Sequence, residues 1–163
     1  MPTPAPQQPG ASASRLGPIV SVDQLLLLGP AELNALYQQC PMAPLPTGKV
    51  RGRALLFPGT RLASPASKAA RAVWQGKVFD STTPSAVNRF FGLRMIRANV
   101  YQDASWMDGQ PCLVLDYSQT SRVYARYRDE IRQVAPGLLL GIMYDRKSPG
   151  PDIKMYFALE CQP

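Results

Sequence analysis

A chain of 163 residues suits one domain, and at that size about two-thirds of the unfolded surface can be buried without metal or disulfide staples. It has no histidine, which excludes a Ser-His-Asp triad, a Cys-His pair and His-ligated zinc or haem, and its three cysteines, Cys40, Cys112 and Cys161, form no CxxC pattern. The net charge of +7, from 18 basic and 11 acidic residues, is spread without a compact basic run, so nucleic acid is not an expected partner and weak association with an anionic membrane face is the most it supports.

The first 18 residues, MPTPAPQQPGASASRLGP, hold five prolines and two glycines, no acid and little apolar surface. Residues 1–19 therefore read as a disordered leader and 20–163 as a single domain. The run Leu25 to Leu28 is too short for a signal-peptide core or a membrane span. The compartment stays open: cytoplasmic as given, exported or periplasmic if the leader is the stub of a processed signal. In an exported protein Cys40 and Cys161 could pair, whereas Cys112, inside PCLVLDY, reads as a small core residue.

Ser21 with Gln24 three residues on is a capping-box pattern that opens a short helix, and Pro30 opens a second over 30–39, where Leu33, Leu36, Tyr37 and Cys40 recur at helical spacing. TGKVRGRALLF, residues 47–57, reads as a strand with Lys49, Arg51 and Arg53 on a solvated face and Val50 and Ala54 on the other. A third helix, rich in alanine, fits 64–74 with Ser64 as N-cap. From Trp74 the period changes to two, and GKVFD, 89–103, 110–118, 122–135, 138–146 and 152–160 are strand candidates. Turn signals at Thr83-Pro84, Asp108-Gly109, Pro136-Gly137 and Ser148-Pro149-Gly150 separate them, Asp108-Gly109 reading as a type I′ turn. Five or six strands joined by hairpins must curl to bury one face, so the expected fold is mainly β (α+β): a small antiparallel, lipocalin-like barrel or half-barrel with short N-terminal helices.

RYRDEIRQVAPGLLLGIMY, residues 126–144, sets alternating charges beside an apolar block. Arg128, Glu130 and Arg132 share one strand face as a ladder that either pairs across the sheet or lines a barrel mouth. LLLGIMY reads as a strand buried on both sides, with Gly141 at a kink or close approach. Asp116 ends CLVL and is expected to pair with Arg128 or Arg132 or, left unpaired in an apolar cavity, to do acid-base work.

The blocks Trp74-Gln75-Gly76-Lys77-Val78-Phe79, Ser105-Trp106-Met107-Asp108-Gly109, Leu115-Asp116-Tyr117-Ser118 and Arg128 to Gly137 resemble those of a group of mostly uncharacterised bacterial proteins with W-x-G-K-x-F, S-W-x-D-G, L-D-Y-S and R-D-E-I-R-x-V-x-P-G motifs. The order of elements is also similar to the GxWxG proteins of calycin architecture, with Ala72 standing at the first glycine. That resemblance implies a short barrel enclosing a small-molecule cavity and brings no catalytic residues and no cofactor.

Noncatalytic binding of a lipophilic or amphipathic small molecule is thus the leading expectation. Trp74, Lys77, Arg128, Arg132, Leu140, Ile142 and Tyr144 are its candidate contacts, with Arg128 or Arg132 meeting an acidic end. The alternatives are a small barrel enzyme doing proton-transfer or cyclisation chemistry with Asp116, Tyr117 or Asp129, and a filled barrel that serves structure or a partner. No metal site is expected.

Overall fold

A computed structural model describes residues 17–146 and 151–162. The leader expected at 1–19 falls almost wholly outside the described residues, as does the Ser148-Pro149-Gly150 turn. The elements run α1 (Val22–Leu26), α2 (Pro30–Gln39), β1 (Gly48–Leu55), α3 (Ala63–Ala70), β2 (Trp74–Asp80), β3 (Ser85–Phe90), β4 (Leu93–Ala104), β5 (Pro111–Asp116), β6 (Tyr127–Ala135), β7 (Leu138–Asp145) and β8 (Asp152–Glu160). The eight strands pair antiparallel in sequence order, and β8 closes on β1 over Arg51–Leu55 and Tyr156–Glu160 to complete an up-and-down barrel. Closure joins the first strand to the last, so the barrel has no terminal edge strand.

The alternation of side chains builds two cores. One set, including Val50, Phe79, Ala86, Val100, Leu113, Leu115, Ile131 and Leu159, fills one end of the barrel. The opposite set on β7 and β8, with Leu138, Leu140, Ile142, Tyr144, Tyr156 and Ala158, packs outward against Val22, Leu25 and Leu26 of α1 and Leu33 and Tyr37 of α2. Each valine, leucine, isoleucine or phenylalanine so taken out of water contributes about 1.5–3 kcal/mol. LLLGIMY is therefore apolar on both faces because both are covered, one by the barrel interior and one by helices. Gly141, on its inner face, lies under the Phe157 ring, where an added Cβ would fall 2.2 Å from ring carbons. Gly76 is equally constrained: its φ is +118 and an added Cβ would meet the Val50 carbonyl at 2.2 Å.

Local signals place the helices as expected at two points and shift the third. Ser21 Oγ accepts the Gln24 N–H at 3.3 Å and Gln24 Oε1 accepts the Ser21 N–H at 3.1 Å, closing the capping box of α1. Glu32 accepts the Gly29 N–H at 3.0 Å at the start of α2. The third helix begins at Ala63 and ends at Ala70, so Ser64 lies within its first turn rather than capping it. Thr60 Oγ1 accepts the Leu62 N–H at 3.2 Å just before it, and Trp74 already belongs to β2.

From Trp74 onward the strand count rises from five or six to seven, and β1, expected over 47–57, makes eight. The stretch 89–103 is not one strand, because Phe91 and Gly92 both take positive φ (+51 and +80) and turn β3 into β4. A single glycine after a phenylalanine is a weak hairpin signal, since a bulky residue seldom adopts that conformation. The Asp108-Gly109 hairpin exists but is not a type I′ turn. Only Gly109 has positive φ (+72), and the connection is a longer loop in which Gly109 N–H reaches Ser105 O at 2.9 Å and Ser105 N–H reaches Gln110 O at 2.9 Å.

Candidate functional site

The barrel is filled at one end and hollow at the other. At the end where α3, the β3–β4 hairpin and the loop from Tyr117 to Arg126 gather, the interior encloses a cavity of about 580 Å³. Small side chains leave the space: Ala54 on β1 and Ala66, Ala69 and Ala70 on one face of α3. Larger apolar groups, Trp74, Phe90, Met143, Met155 and Phe157, form the remaining wall, with Tyr124 from the loop. Tyr124 is held at the rim by edge contacts with Tyr117 and Tyr127 at 5.6 and 5.4 Å between ring centroids.

At the boundary between hollow and filled halves lie four buried polar residues: Lys77 of β2, Asn88 of β3, Tyr117 just after β5 and Asp129 of β6. Lys77 Nζ donates to Asn88 Oδ1 at 2.8 Å, Tyr117 Oη at 2.9 Å and Asp129 Oδ2 at 3.0 Å, which commits all three of its protons. Tyr117 donates to Asp129 Oδ2 at 2.8 Å and accepts from Asn88 Nδ2 at 3.0 Å. The indole Nε1 of Trp74 donates to Asn88 Oδ1 at 3.0 Å. Burial, then the Asp129 charge, pushes the Tyr117 phenol well above its ordinary range, so it stays protonated and a donor. The ammonium also lies 5.2 Å from the Phe157 ring centroid and 5.5 Å from that of Trp74. A buried ion pair is tolerable only when its remaining donors and acceptors are satisfied or reach water, and here one acceptor opens onto the cavity instead of meeting a protein donor. Asp129 Oδ1 has no hydrogen-bond partner among the described residues, and Asp129 lines the cavity.

Of the candidates read from the sequence, Trp74, Lys77, Tyr117 and Asp129 come together at this cavity. Arg128, Arg132, Leu140, Ile142 and Tyr144 do not, because strand parity turns them to the outer face of the barrel. Leu140, Ile142 and Tyr144 are buried there under α1 and α2 and the 105–110 loop. The charge ladder is buried too. Glu130 accepts from Ser105 Oγ at 2.5 Å, Trp106 N at 2.8 Å and Arg128 at 3.0 Å. Arg132 makes a bidentate pair with Asp108 at 2.7 Å, donates to the carbonyls of Tyr37, Gln110 and Pro111, and lies 4.6 Å from the Tyr37 ring centroid. Arg128 bonds Asp103 and the Ala104 carbonyl and stacks on Trp106 at 4.3 Å. The ladder thus fastens α2 and the 105–110 loop onto the barrel.

Asp116 is also on the outer face. Its partners are Arg146 at 2.6 Å and Tyr101 Oη at 2.8 Å, in place of the expected Arg128 or Arg132, although Arg128 is its neighbour across the sheet. Burial opposes the charged form of Asp116, but hydrogen bonds from Ser118 and Tyr101 outweigh it and hold the carboxyl below its ordinary value. That is an ionised structural group, not a proton donor. Asn88, Tyr124, Met143, Met155 and the α3 alanines complete the site beyond the residues singled out for ligand contact. For the alanines, the i, i+3, i+4 spacing of Ala66, Ala69 and Ala70 marks one face of small residues on α3, a signal that the alanine-rich helix assignment did not use.

Among the described residues no cluster of His, Cys, Asp or Glu is placed to hold a metal ion, and no helix is long and apolar enough to cross a membrane. No protein-family model matches the sequence, and no curated protein does. The crystal structure of a protein from Thermomonospora curvata is similar in fold, with a TM-score of 0.55 over 83% of this chain and 89% of that one, at 18% identity. A likeness at that identity speaks for the barrel alone.

Proposed function

We propose that the protein binds a lipophilic small molecule in the barrel cavity without transforming it, and that the molecule carries a hydrogen-bond donor at its buried tip. The observation that carries this reading is the pairing of an apolar cavity of about 580 Å³, within the range that holds a small-molecule ligand, with one uncommitted carboxylate oxygen at its inner end. An alcohol or amine would satisfy Asp129 Oδ1. A carboxylate would meet like charge there, and Lys77 has no proton left to offer it. The arginines expected to meet an acidic end are committed on the outer face. Noncatalytic binding is favoured over proton transfer because Lys77, Tyr117 and Asp129 are locked to one another, and Asp116 lies outside the cavity.

The test is titration with N-phenylnaphthylamine, an apolar aromatic amine whose fluorescence rises in a dry pocket. Saturable enhancement is expected, abolished by Ala70→Phe, which fills the cavity from α3. Decanol should displace the probe at lower concentration than decanoate. No saturable signal would overturn the binding reading, and stronger displacement by decanoate would overturn the donor-tip assignment.

A further inference from the structure

The hollow end of the barrel is also where the surface is unusually apolar. Phe91 is 70% exposed, Leu93 65%, Leu62 61%, and Met95 and Val73 45% each. They belong to the β3–β4 hairpin and to the segment around α3, and the two are joined: Phe91 N–H donates to Val73 O at 2.8 Å and Gly92 N–H to Gln75 Oε1 at 2.9 Å. Phe91 is at φ +51, a conformation in which an aromatic residue is strained and asparagine or glycine is not. An aromatic ring held at such a position and left in water gains the fold nothing, so its use lies outside the fold.

The segment that carries these residues is basic, and the carboxylates at this end of the barrel, Asp116, Asp145 and Asp152, are each paired to a cation of their own, Arg146, Arg126 and Lys154. From residue 33 to residue 102 the chain has ten basic residues and one acidic residue, Asp80, while the rest has eight basic against ten acidic. Asp80 ends β2 at the opposite, filled end of the barrel. Arg61, Arg71, Arg89 and Arg94, which flank the exposed apolar residues in sequence, have no carboxylate partner among the described residues. Exposed apolar side chains with arginines beside them in sequence that have no carboxylate partner complement an anionic lipid surface, where the chains enter the headgroup boundary and the guanidinium groups meet phosphate.

We infer that the hollow end docks on anionic membranes through Phe91 and Leu93, flanked by Arg89 and Arg94, with the cavity mouth turned toward the bilayer. A lipophilic occupant would then pass between membrane and cavity without crossing water, but the docking claim stands on the surface alone.

Co-sedimentation of the full chain with vesicles tests it. The chain should pellet with an equimolar mixture of phosphatidylcholine and phosphatidylglycerol, remain in solution with phosphatidylcholine alone, and release as salt is raised. Phe91→Asn relaxes the turn, so its melting temperature should equal or exceed the parent's while its vesicle affinity falls about tenfold, the worth of one inserted aromatic side chain. Arg89→Gln with Arg94→Gln should weaken binding to the anionic vesicles as well. Failure of the parent to pellet with anionic vesicles would overturn the inference. Undiminished binding by Phe91→Asn would overturn it too, leaving a basic surface suited to some other polyanion. N-phenylnaphthylamine titration in vesicle-free buffer is unaffected by either result and keeps the cavity reading separate.

Discussion

Removing Lys77 should harm the protein far more than removing Lys77 and its carboxylate together. Lys77→Met leaves the Asp129 carboxylate, only 4% exposed, with a single protein donor, Tyr117. Breaking a buried ion pair from one side costs about 3–5 kcal/mol. Tyr117 remains bonded to Oδ2 and the cavity admits water to Oδ1, so the low end, about 3 kcal/mol, applies here. In Lys77→Met with Asp129→Leu no charge is left to strand. Tyr117 and Asn88 keep their mutual bond at 3.0 Å and Asn88 keeps the Trp74 indole at 3.0 Å, while the phenol proton loses its acceptor, a loss of about 1 kcal/mol. The double variant should therefore be about 2 kcal/mol more stable than the single one, a coupling that contact residues commonly show. Urea unfolding followed by tryptophan fluorescence reads this directly. At an m-value of about 2 kcal/mol/M the single variant's midpoint falls by about 1.5 M and the double's by about 0.5 M. A double variant no more stable than Lys77→Met would refute the reasoning, since the loss would then come from packing and not from an orphaned charge.

Arg132→Met, which the mouth reading would have left near neutral, should cost about 3 kcal/mol, because the side chain holds Asp108 and three carbonyls and only the partly exposed carboxylate can rehydrate. The hydrogen bond from Arg132 holds the Asp108 carboxyl below its ordinary value, so this stabilisation is full above about pH 4 and is lost as pH falls through the lowered value. Melting the parent and Arg132→Met across that window should show their gap closing on acidification, and a constant gap would contradict the pairing. Burial raises all three thiols, but Cys112 alone is fully buried, pushed up to about 12 by burial and the Glu130 charge, while Cys40 and Cys161 are half-buried, so at neutral pH Ellman's reagent should titrate Cys40 and Cys161 in the folded protein and reach Cys112 only on unfolding; prompt reaction of all three would contradict its burial. Gly141→Ala should drive the Phe157 ring into the cavity, costing about 1–3 kcal/mol and weakening N-phenylnaphthylamine together with it; a neutral midpoint and unchanged titration would show that the ring yields freely.

The sequence by itself determined the local pieces. The capping box at Ser21, the proline start of α2, the apolar strand runs of β5, β7 and β8 between turn signals and the division of β6 into a ladder of Arg128, Glu130 and Arg132 and an opposite set all follow from residue type and spacing, and all are present. Tertiary structure decided which set of β6 faces inward. Alternation sorts side chains into two sets but ranks them only when one is apolar and the other polar, and β6 carries charge on both: Asp129 inside, Arg128, Glu130 and Arg132 outside. On β7 both sets are apolar because α1 and α2 cover the outer one, so Leu140, Ile142 and Tyr144 looked like cavity wall and are helix seat. The hairpin at Phe91-Gly92 escaped for a different reason, since the neighbouring strands and the Val73 carbonyl hold a phenylalanine where its own preference would not. The cavity itself is written nowhere in the local pattern. It is the shortfall of volume left where the small side chains Ala54 of β1 and Ala66, Ala69 and Ala70 of α3 meet a wall of Trp74, Phe90, Met143, Met155 and Phe157 from other strands, and only closure of the barrel brings those walls to the same space.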